Sequence, residues 1–121
     1  MGDLAKNFSR YEFACHCGCG FDAAAPDLVA ALQRLRNLLG RPVLILSGCR
    51  CKAHNRQVGG VRESLHTQGR AADVMVFGKL ENLDPERVED LGLFRLGFKG
   101  VGIYKWGLHL DMRKKKTVWK G

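Results

Sequence analysis

Ser64-Leu65-His66-Thr67-Gln68-Gly69-Arg70-Ala71-Ala72-Asp73-Val74-Met75-Val76-Phe77 is the stretch on which the fold turns. From Ala72 to Phe77 it is an apolar run interrupted by one carboxylate, which reads as a buried central strand. The part before it contains Gly69, a poor helix residue. His66 is therefore expected on a loop and Asp73 at the start of the strand. Six residues separate the two. That spacing is not helical, so they can converge from different elements. A single His beside a glycine is more often a surface or hydrogen-bonding residue. An Asp entering an apolar strand is harder to dismiss, because a buried carboxylate is costly unless paired or metal-bound.

Downstream, Gly107-Leu108-His109-Leu110-Asp111 alternates apolar and ionisable residues. On a strand, His109 and Asp111 share one face and Leu108, Leu110 and Met112 the other. Such a strand is either a solvated edge or the wall of an active site. Two imidazoles and one carboxylate, His66, Asp73 and His109, are the ligand set of a catalytic zinc that keeps a fourth position for water or substrate. Zinc held this way makes a nucleophile of water near neutral pH, so the set points to hydrolysis.

Working outward, Asn7 to Phe13 reads as a short turn or helix, with Ser9 and Glu12 as a capping box. Pro26 to Leu39 is the clearest helix: Pro26 suits the first turn, Leu28, Leu32, Leu35 and Leu39 recur at helical spacing, and Gly40 closes it. Pro42 to Leu46 reads as a buried strand. Arg50 to Glu63 is a glycine-punctuated loop of the length that carries function. Asp84, a suitable N-cap, and Pro85 start a second helix expected to run through Leu96. Gly100–Tyr104 and Leu108–Met112 form a hairpin-like pair, with Thr117–Trp119 as an added edge strand. The expected fold is α+β, a mostly antiparallel sheet with helices packed against it, in a single domain spanning 1–121.

Ser47-Gly48-Cys49-Arg50-Cys51-Lys52-Ala53-His54-Asn55, then Val58-Gly59-Gly60, Ser64-Leu65-His66, Gly69-Arg70-Ala71-Ala72-Asp73 and Gly107-Leu108-His109-Leu110-Asp111, closely resemble the M15 peptidases in order. These are zinc D-Ala-D-Ala carboxypeptidases and related phage endolysins, and the hedgehog signalling domain shares their fold. The resemblance runs from about Phe13 to Trp119. It implies Zn2+ held by His66, Asp73 and His109, and bacterial peptidoglycan stem peptides as substrate. It also implies that Arg50 holds the substrate's carboxylate or orients its carbonyl; otherwise Arg50 pairs with a local acid. Its guanidinium fork suits a carboxylate. Ser64 either hydrogen-bonds substrate or caps its turn, and His54 and Asn55 have ordinary structural roles.

Two positions depart from the family's pattern. Many relatives carry an acid three residues before the last ligand, where it deprotonates the attacking water; here Trp106 stands there and cannot accept a proton. Asp111 is the nearest carboxylate and serves either as that base or as an anchor for a ligand imidazole. Relatives commonly have an aromatic residue where Cys49 stands. The alternative to an enzyme is a non-catalytic zinc-binding module of the same fold, associated with a wall or a virion.

The five cysteines form two clusters, Cys15-His16-Cys17-Gly18-Cys19 and Cys49-Arg50-Cys51. An odd count without a leader argues against a full disulfide framework. Packed thiols, one bridge to Cys51 and a second metal all remain open, although paired zinc cysteines are usually two or more residues apart. Net charge is +8, densest at Arg113-Lys114-Lys115-Lys116. That suits acidic polymers of bacterial walls or a plainly solvated tail; with only Trp119 nearby, specific nucleic-acid binding is not expected. No apolar stretch is long enough to enter a membrane, and Met1 to Phe8 is not a signal peptide. The expectation is a monomer made in the cytoplasm that reaches the wall after release, of phage or prophage origin.

Overall fold

A computed structural model describes residues 2–80 and 83–121. Five strands form one sheet in the order β1-β2-β4-β3-β5. They are β1 Leu44–Ser47, β2 Ala71–Met75, β3 Gly100–Tyr104, β4 Gly107–Asp111 and β5 Thr117–Lys120. All pairs are antiparallel except β3 with β5, which run parallel. The expected α+β domain with a mostly antiparallel sheet is what is found.

Period-two alternation divides the sheet's faces. Ala72, Val74, Leu108, Leu110, Val101 and Ile103 point to one core, where they meet Phe8, Phe13, Phe98 and the Leu28, Leu32 and Leu35 stripe of α1. Helix α1 spans Pro26–Leu39, the bounds that its periodicity predicts, and ends on Gly40 in the left-handed region (φ 63°). Ser9 and Glu12 cap a 3-10 turn over Arg10–Phe13, the Ser9 N–H donating to the Glu12 carboxylate at 2.6 Å. No described helix is long and apolar enough to cross a membrane.

Three expected elements differ. The strand read over Pro42–Leu46 is displaced to Leu44–Ser47 and is an edge rather than a buried strand: it pairs only with β2, leaving Leu44 45% exposed. The Arg50–Glu63 loop contains a short helix α2, Lys52–Gln57, whose N-cap is the Cys51 sulfur accepting from the His54 N–H. Thiols are not usual caps, so the start signal was absent. The helix expected from Asp84 through Leu96 is only a 3-10 turn, Pro85–Arg87, followed by irregular turns. Gly92 (φ 78°) and Gly97 (φ 120°) turn the chain out of helical geometry, and Asp84 makes no side-chain cap bond.

Candidate metal centre

One row across the polar face of the sheet carries the chemistry. Ser47, Asp73, His109, Gly102 and Trp119 are successive neighbours from β1 to β5. β1 reaches this row through a bulge: between Ile45 and Ser47 it advances two residues while β2 advances one, which sets Ser47 opposite Asp73. Asp73 is in the middle of β2, rather than at its start as the sequence suggests.

His66 comes to the row from the side, on a 3-10 turn, Leu65–Gln68, in the segment read as loop. The Ser64 hydroxyl caps that turn by accepting from the His66 N–H at 3.2 Å. Gly69 closes it at φ 68°, where an added Cβ would also lie 2.2 Å from the Ala23 carbonyl oxygen. The His66 ring is buried, and its Nδ1 is 2.7 Å from the Gly48 carbonyl. A carbonyl only accepts, so Nδ1 carries a proton, and Nε2, 3.3 Å from Asp73 Oδ1, is the nitrogen left to bind a metal.

His109 is oriented by its other nitrogen. Its Nε2 lies 2.8 Å from Asp111 Oδ2, and its Nδ1 lies 2.9 Å from the same Asp73 oxygen that His66 approaches. Burial pushes the Asp73 carboxyl up, but hydrogen bonds from His109 and His66 outweigh it and hold the group well below the usual carboxylate range. Burial likewise disfavours charge on His109, and its bonds to Asp111 and Asp73 overcome this, raising its pKa. Asp111 is fully buried and is gripped by a forked Arg113 guanidinium at 2.7–3.2 Å, which together with His109 keeps it ionised against the effect of burial.

The donor set fits a zinc ion. Ligands at ~2.0–2.2 Å in a tetrahedron stand ~3.4 Å apart. His66 Nε2 and His109 Nδ1 lie 3.3 and 2.9 Å from Asp73 Oδ1, and the three ligand atoms all fall within 4.8 Å of one another. Both imidazoles use their remaining nitrogen on a fixed acceptor, the arrangement that orients metal-binding histidines. The trio faces an open cleft of about 700 Å³ whose wall includes Arg50, Glu63, Ser64, Trp106 and Trp119.

Arg50 extends along the cleft with one terminal nitrogen 3.5 Å from Asp73 Oδ2 and the other donating to Asn55 Oδ1 at 3.0 Å. Asn55 is itself buried and donates to the Val61 carbonyl, so its structural role includes aiming Arg50. Trp106 stacks on Tyr104 at 4.8 Å.

Residues 6–111, most of the chain, match the family described as Peptidase M15. The chain belongs to the peptidase M15 family. No curated protein matches it. M15 peptidases are zinc-dependent and act on peptides, and the site described here carries the ligand types that such a family requires.

Sequence reasoning missed several residues of this M15 site. The sequence reading takes Arg113 only as part of a basic run, drawn to acidic polymers or simply solvated, yet its guanidinium clamps Asp111 and lies 4.7 Å over the Trp119 ring. The signal was there in the alternation His109, Asp111, Arg113. Trp119 packs 5.4 Å from His109 and donates to the Tyr104 hydroxyl. Gly102 makes room for it, since a Cβ there would lie 2.6 Å from the indole, and Gly100 does the same for the Asp111 carboxylate. Glycines inside a strand mark such close approaches. Cys49 is buried, its thiol pushed up to about 11 by desolvation. The other four cysteines converge elsewhere.

Proposed function

We propose that this M15 protein is a zinc peptidase that hydrolyses peptide bonds in bacterial peptidoglycan stem peptides, as a D-Ala-D-Ala carboxypeptidase or an endolysin-type endopeptidase. The observation that carries the reading is the meeting of His66 Nε2, Asp73 Oδ1 and His109 Nδ1 at the floor of an open cleft. Zinc in that set supplies Lewis acidity and a water that ionises near neutral pH. The protein's own residues do the rest. Gly48 and Asp111 hold the two imidazoles in their ligating tautomers. Arg50, braced by Asn55, binds a substrate carboxylate or aligns the scissile carbonyl, and Ser64, besides capping its turn, can offer a hydroxyl to substrate.

Of the two roles expected for Asp111, its geometry favours the anchor, because His109 and Arg113 engage its carboxylate. Exposed Glu63, on the wall of the same cleft, is then the carboxylate left to take a proton from water. Lys52, Arg56 and Arg62 line an adjoining groove of about 1050 Å³, a surface suited to the carboxylates of a stem peptide. The protein works as a monomer on the wall after release from the cell that makes it, and is of phage or prophage origin.

Trp106 favours a second reading, a non-catalytic zinc-binding module of a wall or virion, because no acid stands where the family's usual base does. One experiment separates the two. Purified protein with zinc is incubated with peptidoglycan and the soluble fragments are identified by mass spectrometry, beside His66→Ala protein and chelated wild type. Fragments from wild type alone support the peptidase and name the bond cut. Equal release by all three defeats it, and wall binding without release by any supports the module.

A further inference from the structure

Cys15, Cys17, Cys19 and Cys51 come from two segments more than 30 residues apart, yet their four sulfurs all lie within 4.8 Å of one another. Cys17 Sγ is 3.4 Å from Cys15 Sγ and 3.6 Å from Cys51 Sγ. Four thiolates around a zinc at ~2.3 Å have sulfur–sulfur edges of ~3.8 Å, so the cluster already has the size of a tetrahedral tetrathiolate site. All five cysteines are free thiols, and Cys49 is not a member of the group.

The backbone around the cluster is built for charged sulfur. The Cys51 N–H donates to Cys15 Sγ at 3.4 Å and the His54 N–H donates to Cys51 Sγ at 3.4 Å. N–H groups aimed at sulfur stabilise thiolates and orient metal ligands. The one-residue spacing that looked wrong for zinc is accommodated by a tight turn. Gly18 donates to the Cys15 carbonyl from φ 80°, Gly20 lies at φ 91°, and Cys15 donates to the Phe21 carbonyl, so the three alternating thiols are folded toward Cys51. Cys17 and Cys19 are exposed.

We propose that these four cysteines bind a second metal ion of the zinc type, closed to substrate and structural in role. An all-sulfur, four-ligand set leaves no open position for chemistry and selects a soft cation. The ion would tie the N-terminal arm to the residue that caps α2, one position from Arg50 and close to Asn55, which aims it. The site is thus a clamp beside the cleft and does not depend on the peptidase reading.

The test is metal stoichiometry on the full chain, with zinc and with cobalt as the probes. Wild type should hold two zinc ions, Cys19→Ser and Cys51→Ser one, His66→Ala one, and the His66→Ala, Cys19→Ser double variant none. Cys19 is exposed, so its serine form is not expected to disturb packing. Cobalt exchanged into His66→Ala protein should give the intense thiolate-to-cobalt charge-transfer band of a tetrathiolate site, absent from the double variant. That spectrum needs no cysteine substitution and so survives any folding defect in the serine forms. A single zinc in wild type that the cysteine changes leave in place overturns the proposal. So does a His66→Ala protein that takes up cobalt with no thiolate band, or a disulfide within the cluster of the freshly purified protein.

Discussion

The His66–Asp73–His109 cleft and the cluster of Cys15, Cys17, Cys19 and Cys51 both gather polar side chains from distant parts of the chain, on opposite physical terms. The cleft takes two of its three candidate ligands from adjacent strands, where backbone hydrogen bonds hold Asp73 opposite His109. Every candidate ligand there has a second partner: Gly48 for His66, Asp111 for His109 and Arg50 for Asp73. The cysteine cluster joins the Cys15–Cys19 turn to the N-cap of α2, from one atom type, with backbone N–H groups as its support. Mixed nitrogen and oxygen donors beside an open cleft suit catalysis; four sulfurs closing on one another suit structure. Position in the sheet and donor chemistry together separate the two roles, and neither would do so alone.

The strongest way to break this contrast is at the ligands. His66→Ala, Asp73→Ala or His109→Ala should each abolish fragment release from peptidoglycan by at least ~10³-fold, or ~4 kcal/mol of barrier. Each should lose metal from the cleft while the cysteine cluster keeps its own. Undiminished metal in the cleft of all three variants would remove the assignment.

Arg50→Ala sharpens the comparison by perturbing the cleft without touching a ligand. Turnover should fall by ~10²-fold, the usual scale for misplaced substrate, with both metals retained by elemental analysis and an unchanged circular dichroism spectrum. Metal loss from the cleft would instead make Arg50 a support for Asp73.

Asp111→Asn distinguishes anchor from base. As an anchor, its loss should weaken zinc affinity at the cleft by ~10–100-fold, read by competition with a chromophoric chelator. Glu63→Gln should then leave affinity alone and slow the reaction by ~10²-fold. The reverse pattern would return the base to Asp111.

The smallest effect is expected at Cys49, whose sulfur is in the core and outside the cluster. Cys49→Ala should lower unfolding free energy by about 1 kcal/mol in urea denaturation and leave the metal content unchanged. A lost metal would mean that the cluster has been drawn with the wrong members.

Much of this was legible before folding. The period of the leucines gave α1 its bounds, and alternation put His109 and Asp111 on one face. Asp73 stood out because a carboxylate entering an apolar run needs a partner, and the His66, Asp73 and His109 trio was what the M15 resemblance implied. Less legible were features set by a neighbour from elsewhere in the chain. Leu44 and Leu46 read as buried because apolar runs usually are, but sheet order leaves their strand at an edge. Arg113 read as one of a basic run, solvated or drawn to acidic polymers, because three lysines follow it, and only its bonds to Asp111 show where its guanidinium lands.

The sequence by itself determined the α+β class and the helix α1, because each rests on local period, and it carried the ordered motifs of the M15 resemblance that imply the three candidate ligands. Tertiary structure alone decided which nitrogen of each imidazole faces Asp73, that Arg113 grips the Asp111 carboxylate, that Asn55 aims Arg50, and that four cysteines from two segments meet. The physical reason is that a hydrogen-bond partner or a fourth ligand is a property of a place. Strand pairing and turn geometry create that place, and neither is written in the spacing of the residues that occupy it.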